Sequence, residues 1–393
     1  MTRLAQWWLS DGYPLRLGAF YAAVFLVVGV QLPFWPVWLA GQGFDPQEIA
    51  TVFAATIWAK VVATPAIGAL ADRTGQRRLV MVSLAAIAWI GYAMLWPFTG
   101  FWPLLALNLV AVVAQSAVMP LGDAVTLAGV RDRGLDYGRV RVWGSITFVI
   151  AALVSGAALA DLAPATLGGN AVLLLVLAAS AVLLAACLTV PQTDRPRAPI
   201  GTRRAALGRL VGDRRFWLLV VSAAALQASH QLYYGFGTLY WRELGFSDAV
   251  IGALWADGVV AETVLFWYGA PLVARFGPLG LMALGGIAGI VRWSLMGIAP
   301  SLTAAAALQL LHAGTFGASH LGAMHVMARS VPAGAAASAQ SLYAATSAGL
   351  GSGLVMLAAG TLYAAYRGQA YQFMALLSAA GLVGVCYLRR AAK

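Results

Sequence analysis

Five ionisable side chains sit inside apolar runs: Lys60 in "TIWAKVVATPAIG", His230 in "ASHQLYYGFG", Glu262 in "GVVAETVLFW", Arg292 in "GIVRWSLMG" and His312 in "LQLLHAGTFG". Lys60 lies 15 residues after Asp45 and 12 before Asp72, so on a helix it is roughly 18 to 22 Å from either polar end. Its own stem cannot carry the charge that far. A lysine at such depth costs about 2.5 to 3.5 kcal/mol to insert into a bilayer, and it is tolerated beside a partner or a hydrated passage. It therefore either attracts an anion or forms a structural ion pair. Glu262 shares a helical stripe with Trp255 and Phe266, which makes it a candidate proton carrier. Arg292 keeps its charge, so a carboxylate is its expected neighbour. His312 heads a stripe of Thr315, Phe316, Ser319 and His320, and His230 is followed by Tyr233 and Tyr234. One such histidine is as readily a hydrogen-bonded packing residue; several in one half favour a functional cluster.

The elements that must position these groups are membrane helices. The chain is 61% hydrophobic and only 10% charged, outside the range of soluble globular domains. Apolar stretches near 14–40, 48–71, 79–98, 102–130, 142–163, 167–190, 216–241, 249–274, 279–299, 301–328, 337–363 and 370–388 are each long enough to cross a hydrocarbon core of about 30 Å. The expected fold is an all-α polytopic membrane protein of twelve transmembrane helices in two pseudo-symmetric six-helix bundles. The first stretch has no small-residue cleavage site and is expected to stay as an anchor. Cys187 and Cys386 fall within spans and read as packing residues, so no disulfide, metal or cofactor is expected.

The net charge of +11 is distributed as an orientation signal rather than a nucleic-acid surface. Of the 25 Lys and Arg, only Arg242 and Arg367 fall in outer loops, and only Lys60 and Arg292 within spans. The rest fall at the termini and even-numbered loops, which places both termini in the cytoplasm. The polar segment "PQTDRPRAPIGTRRAALGRLVGDRRF" divides the chain into bundles 1–190 and 216–393, with a cytoplasmic linker at 191–215. A constant offset of 202 pairs Gly43-Phe44 with Gly245-Phe246, Arg73 and Gly75 with Arg275 and Gly277, and Lys60 with Glu262. Such matches suggest duplication, with equivalent faces turned toward one axis.

"GALADRTGQRR" resembles the loop signature of the major facilitator superfamily, at Gly68, Leu70, Asp72, Arg73, Gly75, Arg77 and Arg78. Gly68 would allow close helix approach, Gly75 a tight turn, and Asp72 would accept hydrogen bonds across a cytoplasmic gate. Within that superfamily, "DAVTLAGVRDRGLDYGRVRVWGS" looks like the helix four to five region of lactose permease, which implies a binding carboxylate at Asp123 and a paired arginine at Arg141. Arg292 and His312 match its helix nine arginine and helix ten histidine, and Glu262 approximately its helix eight glutamate. The sequence departs from that family at Phe148, Gln309 and Thr315, which argues against galactosides. "LPFWPVWL", "ASHQLYYGFG" and "LHAGTFGASHLGAM" are similar to the phenylpropionate permease group.

The resemblance implies a monomeric, proton-coupled importer in a bacterial inner membrane, working by alternating access on a small aromatic or organic acid. The implied substrate residues are Lys60, Asp123, Arg141, Phe148, His230, Tyr234 and Trp255. Glu262, Arg292 and His312 would couple protons. Sugar or nucleoside symport is the alternative. Drug efflux would call for a Gly-Pro motif on helix five, and "VRVWGSITFVIAALVSGAAL" has no proline. A membrane enzyme would need a catalytic pair near one interface, whereas these groups lie at mid-depth.

Overall fold

The computed structural model describes residues 12–161, 169–192, 211–298, 301–331 and 336–391. Most of the expected linker, residues 193–210, lies outside the described residues, as do the ends of the chain on which the cytoplasmic termini depend.

The described residues are helical, with no strand among them. In chain order they form α1 (Tyr13–Gly41), α2 (Pro46–Thr74), α3 (Arg77–Met94), α4 (Phe101–Arg133), α5 (Tyr137–Asp161), α6 (Ala171–Thr189), α7 (Arg214–Ala228) and α8 (Gln231–Glu243). There follow α9 (Asp248–Trp267), α10 (Gly269–Phe276), α11 (Pro278–Met296), α12 (Leu302–Leu310), α13 (Ser319–Ser330), α14 (Ala336–Tyr343), α15 (Ser352–Tyr366) and α16 (Tyr371–Ala391). Wide π turns at Ala313–Ala318 and Ala344–Gly351 join α12 to α13 and α14 to α15.

Each of the twelve predicted stretches carries helix, yet among the described residues only nine helical runs are long and apolar enough to cross a membrane unbroken. The seventh stretch splits into α7 and α8 because Ser229 and His230 turn their side chains back onto the Leu226 and Gln227 carbonyls, competing with the helical ladder. The tenth is interrupted by the first π turn. The last two form one continuous run, Ala339–Ala391, bent by a 3-10 turn at Arg367–Ala370.

Two compact units divide the chain. The first comprises Met1–Phe44, Ala59–Arg197 and Ser247–Ala256, and the second Asp45–Trp58, Ala198–Phe246 and Asp257–Lys393. In the first, α1 packs on α5 and α6, and α3 on α4 and α6. Polar hooks tie these helices where water is scarce: Trp35 donates to Asn108 at 2.9 Å, Gln31 to the Tyr92 hydroxyl at 2.9 Å, and Tyr92 in turn to Gln115. In the second unit α11 packs on α13 and α16, α16 on α7, and α8 on α15. Phe216, Leu219, Met282, Met327, Tyr343 and Val385 form an apolar core there.

The repeat is visible in backbone chemistry. α1 ends with Gly43 at φ 87°, its N–H on the Ala40 carbonyl and the Phe44 N–H on that of Leu39. α8 ends with Gly245 at φ 84°, its N–H on the Arg242 carbonyl and the Phe246 N–H on that of Trp241. Both are Schellman caps, in which a left-handed glycine lets the chain satisfy the last carbonyls. Downstream, the bounds of α2 (46–74) recur 202 residues later as those of α9 and α10 together (248–276). The second copy breaks at Tyr268, where Pro271 has no N–H to offer the Trp267 carbonyl.

Candidate functional site

Arg292 organises the polar cluster of the second unit. It is fully buried on α11, its guanidinium carbon 4.5 Å from the Trp293 ring centre and 4.9 Å from that of Tyr233. Nη2 donates to Gln309 Oε1 at 2.5 Å, and Nη1 to Thr315 Oγ1 at 3.1 Å and to His312 Nδ1 at 3.0 Å. Gln309 Nε2 donates onward to the Tyr233 hydroxyl at 2.8 Å.

Donor chemistry fixes the proton positions. A guanidinium can only donate, so His312 Nδ1 accepts and its ring hydrogen lies on Nε2. That nitrogen is 3.4 Å from Glu262 Oε2 on α9, so the imidazole bridges arginine and carboxylate. His230 faces the opposite constraint: Nδ1 lies 3.1 Å from the Gln227 carbonyl, which only accepts, so Nδ1 carries the hydrogen. His230 Nε2 then accepts from Thr315 at 3.0 Å, and Thr315 in turn accepts from Arg292. The π turn places His312 and Thr315 together against Nη1 of one arginine. Tyr234 stacks on His230 with ring centres 5.8 Å apart.

The expected carboxylate neighbour of Arg292 is thus one residue removed. Its direct partners are the neutral acceptors Gln309, Thr315 and His312, and Glu262 joins through the histidine. The structure brings together Arg292 and His312, expected as proton-coupling residues, with His230 and Tyr234, expected as substrate residues. Tyr233 and Trp293, which stack on the guanidinium, and the acceptors Gln309 and Thr315 complete the cluster without having been assigned to it. Thr315 lies on the stripe read from His312, and Gln309 stands three residues before it, a helical spacing that could have drawn it in as well.

The first unit holds a different arrangement. Asp123 on α4 and Arg141 on α5 form no ion pair with one another, contrary to the expected carboxylate–arginine contact. Asp123 Oδ1 instead accepts from the Tyr21 hydroxyl at 2.5 Å and from the Tyr137 hydroxyl at 3.1 Å. The Arg141 guanidinium lies over the Phe25 ring, 4.1 Å from its centre. Tyr137 opens the "YGRVRVWGS" run itself, whereas nothing in the sequence around Tyr21 singles it out.

Lys60 on α2 is partly exposed, and among the described residues it makes no ion pair or hydrogen bond. Phe148 and Trp255 are both buried, and the Phe148 backbone lies against α1 at Gly29.

At the loop signature, Arg77 is buried and donates to the exposed Asp72 at 2.8 Å, while Arg73 and Arg78 are exposed. Gly75 has φ 67°, the tight turn expected of it, and its carbonyl accepts from Gln192 at 3.0 Å. Gly68 departs from expectation. A Cβ built there meets no atom of the described residues within 4 Å.

Membrane-length helices that hold charged and imidazole groups by hydrogen bonds from other helices mark a multi-span membrane protein. The sequence pattern described as the MFS_1 like family matches residues 14–375, and the chain belongs to that family of major facilitator transporters. A protein of Escherichia coli (strain K12) named "Probable 3-phenylpropionic acid transporter" is 30% identical over 375 residues, covering 93% of this chain and 94% of that one. The maltose permease of Geobacillus stearothermophilus is 28% identical over 387 residues, covering 95% and 93%. A crystal structure of the nucleoside transporter NupG has a TM-score of 0.81 over 96% of this chain and 98% of that one, at 18% identity, a likeness of fold.

Proposed function

We propose that this transporter is a monomeric symporter of a bacterial inner membrane, with both termini cytoplasmic, that imports a small aromatic or organic acid together with protons. Two six-helix halves would provide alternating access. The observation that carries this reading is the line from Arg292 through the neutral His312 to Glu262. The imidazole nitrogen that meets the Glu262 carboxylate is the N–H of a neutral ring, so that contact itself brings no positive charge. Taking up a proton there removes a charge from the membrane interior. Lys60 and Arg141 supply cations for an acid's carboxylate, and the 30% identical relative bears the name of a phenylpropionic acid transporter. Phe148, His230, Tyr234 and Trp255 belong to the same reading as substrate residues, with Asp123 beside the site rather than in contact with the acid. Gly68, Asp72, Arg73, Gly75, Arg77 and Arg78 belong to it as gating residues.

Sugar symport is the second reading, favoured by the 28% identity to a maltose permease. Proteoliposomes separate the two. With an inward proton gradient, labelled 3-phenylpropionate should accumulate and maltose should not. Accumulation of the sugar alone, or acid uptake indifferent to the gradient, would overturn the proposal.

A further inference from the structure

We propose that Tyr21 and Tyr137 withdraw Asp123 from Arg141, so that the guanidinium is left to receive the carboxylate of an organic acid; the identity of that ligand rests on the acid-transport reading. Asp123 and Arg141 stand 18 residues apart on consecutive helices of the first unit, where an ion pair would be the ordinary outcome. The phenols prevent it. Tyr21, wholly buried on α1, and Tyr137, in the first turn of α5, aim both hydroxyls at the same carboxylate oxygen. Their rings meet edge to face with centres 6.4 Å apart, which holds the two hydroxyls side by side. Charge-assisted hydrogen bonds from two neutral donors stabilise the carboxylate without a cation.

Arg141 is correspondingly settled without an anion. Its guanidinium lies on Phe25, with Tyr21 at 5.3 Å, and Nη1 rests on the backbone at Gly144, where an added Cβ would stand 2.7 Å from it. A larger residue there would push against both the guanidinium and the Phe25 ring. Aromatic rings engage the face of a guanidinium and leave its in-plane N–H edge open. Among the described residues no hydrogen bond or ion pair claims that edge. A carboxylate matches it two bonds at a time. Were Asp123 on that edge instead, the pair would be closed to an anionic ligand. Tyr21 and Tyr137 are thus positioning residues that set the charge class of the ligand.

Two measurements test this, one free of ligand. First, Asp123→Asn and Arg141→Gln are combined in a thermal-stability cycle, in the native background and in Tyr21→Phe/Tyr137→Phe. The two shifts should add in the native background and fail to add once the phenol hydroxyls are gone; coupling in the native protein, or its absence in both backgrounds, overturns the withdrawal of Asp123. Second, 3-phenylpropionate binding is measured directly. Tyr21→Phe/Tyr137→Phe should weaken it about tenfold, and adding Asp123→Asn should restore most of the loss. Packing damage would not be rescued by removing a charge, so failure of rescue overturns the proposal. If the native protein binds no aromatic acid while coupling still emerges on removing the hydroxyls, the acid is overturned as ligand and the withdrawal of Asp123 stands.

Discussion

His312 and Glu262 approach to 3.4 Å through the one imidazole nitrogen that Arg292 does not occupy. The imidazole cannot be protonated on Nδ1 while the guanidinium donates there. The arginine thus fixes the tautomer of its neighbour and leaves the Nε2 hydrogen facing the carboxylate.

If Glu262 is the proton carrier, Glu262→Gln separates coupling from translocation. The amide oxygen still accepts from His312 Nε2, so the helices remain tied, but no proton is carried. Substrate exchange across proteoliposomes should persist while gradient-driven accumulation disappears. Undiminished accumulation in Glu262→Gln would move the proton site elsewhere.

Arg292→Ala tests the cluster as structure. The guanidinium is wholly buried and serves Gln309, Thr315 and His312 at once. Each buried acceptor stranded by its loss costs roughly 1–3 kcal/mol. Melting in detergent should fall by many degrees, and Arg292→Lys should rescue it only in part, since an ammonium cannot reproduce the planar fork. A melting temperature within a degree of the native protein would show that the network holds nothing together.

The Schellman caps give paired predictions. A Cβ at Gly43 or Gly245 meets no atom of the described residues within 4 Å, so there it is the left-handed backbone that resists substitution. Alanine at either position should cost about 1–2 kcal/mol, and asparagine less, because its side chain can bond locally in that conformation. Melting curves of the four variants check this. Unequal effects at the two positions would separate caps that the geometry presents as equivalent.

These caps also mark what was legible in the sequence. Gly-Phe dipeptides 202 residues apart announced the repeat, and they fold into the same turn because a left-handed glycine is a local requirement. Lys60, Glu262, Arg292 and His312 stood out for an equally local reason, a charge or imidazole in an apolar run. Partnership was not legible. The Tyr21–Asp123 bond joins residues 102 apart, and a tyrosine in an apolar helix has the same sequence whether its hydroxyl meets a carboxylate or not. The expected Asp123–Arg141 pair came from the resemblance to lactose permease, which says nothing of the phenols. The break at His230 was hidden for a related reason, since side-chain bonds to the previous turn leave no proline or glycine to read.

Lys60 is the converse of Arg292. It is partly exposed and, among the described residues, makes no ion pair or hydrogen bond, so its removal strands no acceptor. A midplane lysine opposes insertion by about 2.5 to 3.5 kcal/mol, and partial exposure relieves some of that. Lys60→Ala should therefore melt no lower than the native protein. If the ammonium serves an acid's carboxylate, the same variant should lose most of the stabilisation that 3-phenylpropionate confers, because ligand stabilisation scales with the logarithm of concentration over Kd. The two readouts move independently. A variant that melts lower would reveal a structural role for the lysine, and one that keeps the full ligand-induced shift would remove Lys60 from the anion site.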